Sequence, residues 1–468
     1  GAGKTTLMNI LYGYYQADTG EIRVDGKAAR IDTSQEAIRL GIGMVHQHFM
    51  LVEDFTVLEN IVLGAETSVT LKPSLQEART HLAEMAAEYD MRVDPDARIE
   101  NIGVGEQQRV EVLKALYRGA SVLILDEPTA VLTPDETDHL FRILQALKAQ
   151  GKTILLITHK LREILEYTDY VTVMRGGAVV GTVATKDTDA ARLAEMMVGR
   201  SMQALAPKVA KPRAQTVLEV RGLNVKGANG ASLLADVDLD IHAGEIVGIA
   251  GVAGNGQSEL LEVLAGMRHA DGGSVTLNGK RIDNIRVLQP NSALFRDLGI
   301  SHVPEDRLRD GLVKSFSCME NAVLGSQCQP GVTKGGLLSL QALRERTNKY
   351  IQQFDIRPNA PDLRVGLLSG GNQQKLVMGR EIDRNATLYL IGQPTRGVDI
   401  GAIELIHQAL LALREQGKAI LLVSVELDEI MALSDRIVVM CGGRVTGTVD
   451  ADKTTQTELG LLMGGKAA

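Results

Sequence analysis

Gly1-Ala2-Gly3-Lys4-Thr5-Thr6, running on into Leu7-Met8-Asn9-Ile10-Leu11-Tyr12, is the stretch on which the fold turns. It is the second half of the phosphate-binding pattern G-x-x-G-x-G-K-[ST] followed by a helical segment. Glycines let the backbone wrap phosphate oxygens, and a helix N-terminus adds partial positive charge. In such a loop Lys4 reaches the β- and γ-phosphates and the Thr5 hydroxyl ligates Mg²⁺. Taken alone, the half-motif also fits a glycine-rich turn with a solvated lysine. Downstream, SVLILDEP (121–128) is an apolar strand ending in two carboxylates, Asp126 suited to holding Mg²⁺ and Glu127 to polarising an attacking water. TILLIT (153–158) is a second buried-type strand, and His159 follows it directly, where it can contact a γ-phosphate. Asp-Glu pairs are common in solvated turns, but one closing an apolar strand in the same domain as GKTT signals a nucleotide hydrolase.

Composition narrows the classes further. The 468 residues carry a formal net charge of −8, 44% apolar and 23% charged side chains, a globular balance with room for two or three domains. The acidic balance and the scarcity of aromatics, six Phe and nine Tyr without Trp, argue against a nucleic-acid binder. Cys318, Cys328 and Cys441 are too few and too far apart for a disulfide framework or a zinc site. No apolar run is long enough to span a bilayer. The chain opens inside a recognisable loop, at Gly1, and reads as a protein whose N-terminal stretch is missing.

One internal repeat organises everything else. MRGGAVVGTV (174–183) returns as MCGGRVTGTV (440–449), FTVLENIVLG (55–64) as FSCMENAVLG (316–325), and NIGVGEQQRV (101–110) aligns with LLSGGNQQKL (367–376). Between the copies ALAPKVAKPRAQ (204–215) is short, Pro-containing and basic, as an exposed linker is. The expected division is a first domain over 1–203, a linker over 204–215 and a second domain over 216–468. Strand-like runs alternating with helical ones, such as the amphipathic stretch 135–150, predict α/β domains with a largely parallel sheet.

LLSGGNQQ (367–374) closely resembles the Leu-Ser-Gly-Gly-Gln signature of the ATP-binding cassette family, and Gln47 falls where that family carries its glutamine loop. HQHF (46–49), VGEQQRVEVLKALYRGA (104–120), DEPTAVLTP (126–134), VPEDR (303–307) and QPTRGVD (393–399) resemble the branch of fused double cassettes serving nucleoside and simple-sugar importers, with HQHF leaning towards nucleosides. The resemblance covers essentially the whole chain. It implies two tandem P-loop nucleotide-binding domains, each with a mostly parallel core sheet, an antiparallel β part and a helical subdomain. It implies ATP and Mg²⁺ as ligands, with Gly1, Ala2, Gly3, Lys4, Thr5 and Thr6 around the phosphates and Thr5, Gln47 and Asp126 about the metal. Glu127, His159 and Gln47 become the catalytic set.

Copy two departs from this chemistry. Its loop, Gly254-Asn255-Gly256-Gln257-Ser258, has Gln257 where Lys4 stands; Gly392-Gln393 replace Asp126-Glu127, Glu305 replaces Gln47 and Val425 replaces His159. Copy one is degenerate elsewhere, with Gly103-Val104 in place of Ser369-Gly370 and Thr133 in place of Asp399. In the family's head-to-tail sandwich each ATP lies between one cassette's loop and the other's signature. That arrangement gathers Lys4, Thr5, Gln47, Asp126, Glu127 and His159 with Ser369, Gly370, Gly371 and Asp399 into one intact site, and all the losses into the other. Independent drift would scatter them.

The resemblance also implies partners: multi-span membrane permease subunits and, through them, an extracytoplasmic solute-binding protein, with this chain peripheral on the cytoplasmic face. A soluble twin cassette acting on ribosomes is the competing enzyme class, but such proteins usually keep both hydrolytic sites and a long charged linker. A non-catalytic binding module is opposed by the intact Asp126-Glu127 and LSGG set.

Overall fold

The computed structural model describes residues 2–46, 49–66, 71–129, 132, 134–200, 214–227, 230–252, 254–282, 291–327, 331–334 and 336–465. The chain divides into two compact units, Gly1–Met202 and Gln203–Ala468. The expected linker falls, up to residue 213, outside the described residues.

The second unit carries the fuller sheet system. Six strands run in the order Ile300–Val303, Leu388–Gly392, Ala419–Val423, Ile246–Ala250, Arg436–Cys441 and Arg444–Asp450. The first five are parallel and the last pair antiparallel. Strands covered on both faces read as continuous apolar runs, and Ile246–Ala250, Leu388–Gly392 and Ala419–Val423 are buried at every residue. An antiparallel sheet, ordered Lys280–Arg281, Gly272–Leu277, Thr216–Lys226 and Ser232–His242, packs through Leu218, Val220, Leu239 and Ile241 onto the helix Gln257–Leu264. Cys318–Ala322, Leu340–Phe354 and Gly370–Asp383 form the helical part, closed around Tyr350, Phe354, Val377 and Met378.

The first unit repeats these parts. Its parallel strands are Ile42–Val45, Val122–Asp126 and Thr153–Ile157, in that order, and Tyr170–Arg175 pairs with Ala178–Ala184 in a separate ribbon. Among the described residues this unit has no counterpart of Ile246–Ala250. Thr153–Ile157 is accordingly only partly covered where Ala419–Val423 is fully buried. The helices Val57–Val62, Leu71–Glu88 and Val104–Tyr117 enclose Val57, Ile61, Met91, Ile99, Val110 and Leu113. The helix expected from residue 135 spans Pro134–Ala149.

The repeat extends to single hydrogen bonds. Asn60, fully buried, accepts from Val52 N and donates to Val52 O and Thr56 O; Asn321 does the same with Val313 and Ser317. Gln107 donates to Ile99 O and Ile102 O, and Gln373 to Val365 O and Leu368 O. Lys114 donates to Met50 O at 2.9 Å and Arg380 to Gly311 O at 2.9 Å, each fixing the segment that leads into the helical part. An unmet buried donor costs about 1–3 kcal/mol, so these paired anchors define the loop paths twice over.

Candidate functional site

The helix Lys4–Leu11 starts three residues before the expected Leu7, immediately after Gly3, whose φ of 88° is the left-handed conformation that favours glycine. A Cβ there would also press to 3.3 Å from Gly177 Cα. Gly177 N donates to Ala2 O at 3.2 Å, tying the loop to the turn of the ribbon. The first N–H groups of the helix are thus aimed out of the loop without intrahelical partners. Thr6 is exposed in the same first turn, and Gly1 and Gln47 lie outside the described residues.

Behind the loop, the Thr5 hydroxyl is near enough to Asp126 to favour its charged form; Asp126 is the last residue of its strand and only 3% exposed. Burial raises the Asp126 carboxyl above its ordinary range and Glu127 pushes the same way, against the Thr5 hydroxyl and the Lys4 charge. A buried carboxylate beside a hydroxyl is a hard oxygen pair of the kind Mg²⁺ takes. At the next residue the chain turns: Glu127 has φ 47° and donates its N–H to Ile157 O at 2.9 Å. His159 Nδ1 lies 3.0 Å from Glu127 Oε1. Burial opposes ionisation of Glu127, but the His159 hydrogen bond and charge, with Lys4 and Lys160, outweigh it and hold the carboxyl below its ordinary range.

Sequence reasoning missed Glu163. This carboxylate, 4% exposed, accepts from Thr158 Oγ1 at 2.7 Å and from Thr129 Oγ1, so it clamps the residues flanking both Glu127 and His159. Its only sequence signal was a charge on the buried face of Leu161–Tyr167.

The second loop keeps the same backbone with different chemistry. Gly256 has φ 100°, and a Cβ on it would meet Leu234 Cδ2 at 2.7 Å. Asn255 O accepts from Gly443 N, as Ala2 O does from Gly177 N. Gln257 Nε2 donates to Val252 O at 3.1 Å, and Gln393 Oε1 accepts from Val425 N at 3.2 Å. Gly254 is left-handed with open space around its Cα. The Ser258 hydroxyl donates to Glu305 Oε2 at 2.5 Å.

The signature residues sit at a helix start in each unit. Ser369 precedes Gly370–Asp383 and Gly103 precedes Val104–Tyr117. Asn372 Nδ2 donates to Ser369 Oγ at 2.9 Å, leaving the hydroxyl proton to donate outward. A Cβ on Gly370 would meet Arg307 at 2.5 Å, and one on Gly371 would lie 3.4 Å from Asp399. Asp399 caps Ile400–Glu415 by accepting from Ala402 N. Thr133 lies outside the described residues.

A helix N-terminus opened by a left-handed glycine, with an exposed hydroxyl set before a buried carboxylate, suits a metal-chelated polyphosphate, and the class it defines is the P-loop nucleotide hydrolases. A family model described as ABC transporter matches residues 1–130 and 234–396. The nucleoside import ATP-binding protein NupA of Lactococcus lactis is 47% identical over 465 residues, 99% of this chain and 91% of that protein. The guanosine import ATP-binding protein NupO of Bacillus subtilis is also 47% identical, over 99% of this chain and 90% of its own length. The glucose import ATP-binding protein TsgD13 of Haloferax volcanii is 43% identical over 99% and 89%. The chain belongs to the ABC transporter family, as a twin-cassette ABC-type ATPase of the importer branch. Archaeal ribosome recycling factor aABCE1, solved in complex with ribosomal stalk protein aP1, shares the fold, with a TM-score of 0.60 and 19% identity over 95% of this chain and 83% of the solved one. Among the described residues no helix is long and apolar enough to cross a membrane.

Proposed function

We propose that the chain energises a membrane importer of nucleosides, its two cassettes pairing head to tail so that one ATP site is competent and the other degenerate. The observation that carries the pairing is the segregation of residues. Every hydrolytic side chain, Lys4, Thr5, Asp126, Glu127 and His159, is in the first copy, whereas the intact Ser369-Gly370-Gly371 and Asp399 are in the second. Only exchange of signatures between copies brings them together. NupA and NupO support nucleosides as the solute; TsgD13 keeps simple sugars as the second reading. The ribosomal reading has only a shared fold in its favour.

In the competent site Lys4 and the N–H groups after Gly3 hold the phosphates. Thr5 and Asp126, with Gln47 by resemblance, would hold Mg²⁺, which would supply charge to neutralise that developing on the phosphoryl oxygens. Glu127 takes the proton of the attacking water, and His159 fixes the carboxylate that does so. Ser369 turns its free hydroxyl proton towards the γ-phosphate, beside the N–H groups of Gly370 and Gly371. In the other site Gly254, Asn255, Gly256, Gln257 and Ser258 face Gly103 and Val104, and hydrolysis fails there for want of the lysine and both strand-end carboxylates.

Coupling to the permease runs through the segment after Gln47. Met50 is held by Glu111 Oε1 on its N–H, at 2.7 Å, and by Lys114 on its carbonyl. Its side chain, with Val52 and Phe55, is exposed, while Phe49 and Leu51 are half-buried. An anchored backbone with an apolar outer edge suits a groove for a cytoplasmic permease helix, and so supports a position on the cytoplasmic membrane face. The test is uptake by the complete system, with permease and extracytoplasmic binding protein, of labelled nucleosides against pentoses and hexoses. Saturable nucleoside uptake that a hexose excess leaves unchanged is expected; uptake of sugars alone overturns the solute.

A further inference from the structure

The first loop's hydroxyl, Thr5, is set against the carboxylate at the end of the adjacent strand, Asp126. In the second unit that strand ends in Gly392, yet Ser258, the counterpart of Thr5, is itself bonded to a carboxylate: Glu305, at 2.5 Å. Glu305 stands on the neighbouring strand's exit, after Ile300–Val303, where the first unit has Gln47. The carboxylate has changed strands and kept its place. A Cβ built on Gly392 would lie 2.6 Å from Glu305 Cγ and 3.0 Å from Glu305 N. The Glu305 side chain therefore fills the volume that an aspartate at 392 would enter, and the two acids exclude each other. Drift alone predicts loss of the strand-end acid, not a second acid delivered to the same hydroxyl.

We infer that Ser258 and Glu305 form a relocated Mg²⁺ pair, so that the second loop binds Mg²⁺–nucleotide and retains it without hydrolysis. The loop supports this. Gly256 keeps its left-handed turn ahead of Gln257–Leu264, leaving the helix N–H groups directed out of the loop. Gln257 supplies an amide where Lys4 supplies a charge, and that amide is folded back onto Val252 O within the loop. With the lysine's charge gone, the metal becomes the main counter-charge for the phosphates. Nucleotide binding at this loop should thus depend on Mg²⁺ more steeply than at the first. Gly392, Gln393 and Val425 supply no water-activating base, so bound nucleotide stays intact.

The inference rests on the proposed reading that both loops bind nucleotide, and the test separates the two. Equilibrium dialysis of the full chain against labelled ADP, with Mg²⁺ and with EDTA, counts sites without calling on hydrolysis. Two equivalents are expected with Mg²⁺. Glu305→Gln should remove one of them, weakening it at least tenfold, whereas Asp126→Asn should weaken only the other. Glu305→Asp should restore part of the lost affinity, because a carboxylate and not a shape is what the metal reads. Unchanged circular dichroism midpoints without nucleotide confirm that each variant is folded. If the unmodified chain binds one equivalent, or if Glu305→Gln still binds two with the same Mg²⁺ dependence, the inference is wrong while the first site stands. If no equivalent is bound at all, the reading of the loops themselves fails.

Discussion

Glu127 and Gln393 share one backbone geometry: φ is 47° and 46°, and each N–H donates to the last residue of the next strand, Ile157 O at 2.9 Å and Val423 O at 2.8 Å. The left-handed turn survives where the carboxylate has been lost. It therefore belongs to the strand–loop junction and not to hydrolysis, and the chemistry rests on the side chain alone.

From this follows the outcome of exchanging the two side chains. Glu127→Gln keeps the junction and the contact with His159 but removes the base, so hydrolysis should fall by two orders of magnitude or more while nucleotide binding persists, in line with losses of about 10²–10³ for a single transition-state group. Gln393→Glu should add no turnover, because Gln257, Gly392 and Val425 remain. Steady-state phosphate release from both proteins checks this; near-normal turnover in Glu127→Gln removes Glu127 from its role.

Glu163 predicts a different kind of loss. Glu163→Ala strands the hydroxyls of Thr129 and Thr158 in a buried site, and each unmet group costs about 1–3 kcal/mol. A lowered denaturant midpoint with reduced turnover is expected, whereas Glu163→Gln, which still accepts one hydrogen bond, should recover part of the stability.

A pH-dependent contribution resides in the second helical subdomain. Asp383 accepts from Tyr350 Oη at 2.9 Å and pairs with Lys349 and with Arg346 at 3.3 Å. Burial raises its carboxyl, but these partners outweigh burial and hold it below its ordinary range. A depressed folded-state value stabilises above the unfolded value, about 3.9 for Asp, and that stabilisation is lost as pH falls towards the folded value. Asp383→Asn should cost about 1.5–3 kcal/mol at pH 7, and the gap to the unmodified chain should close below about pH 4. Thermal midpoints by circular dichroism across this range measure it.

For the permease contact, Met50→Ala and Phe55→Ala should leave intrinsic hydrolysis and the melting midpoint near their starting values, because both side chains are exposed. Stimulation of hydrolysis by reconstituted permease should drop severalfold. Full stimulation in both variants would move the docking surface elsewhere.

Much of this was legible in the sequence because the motifs are local. SVLIL and TILLIT read as strands by their unbroken apolar runs, and the strands are Val122–Asp126 and Thr153–Ile157. GKTT announced a loop and helix, but the helix starts at Lys4, since Gly3 can take the left-handed turn that any other residue resists. What stayed hidden depends on distant partners. Glu163 is a charge like any surface charge until Thr129 and Thr158 are seen against it. Asn60 and Asn321 look like loop residues until their buried amides are seen bridging Val52 and Val313. Glu305 read as a lost glutamine, because nothing in the order of residues says that its carboxylate reaches Ser258 across the sheet.

If each ATP is shared between copies, as proposed, Ser369 and Gly103 must differ in what they do for hydrolysis. Ser369 keeps a free hydroxyl proton on a helix start in the second unit, whereas Gly103, at the matching place in the first, has φ −68° and open space where a Cβ would go, so Gly103→Ala is sterically neutral. Hydrolysis by purified Ser369→Ala and Gly103→Ala, each shown to be folded, should therefore diverge. At least a tenfold loss is expected for Ser369→Ala, the equivalent of about 1.5–3 kcal/mol for a hydrogen bond to a charged group, and near-normal turnover for Gly103→Ala. Abolished hydrolysis in Gly103→Ala with full activity in Ser369→Ala would contradict the head-to-tail sharing outright.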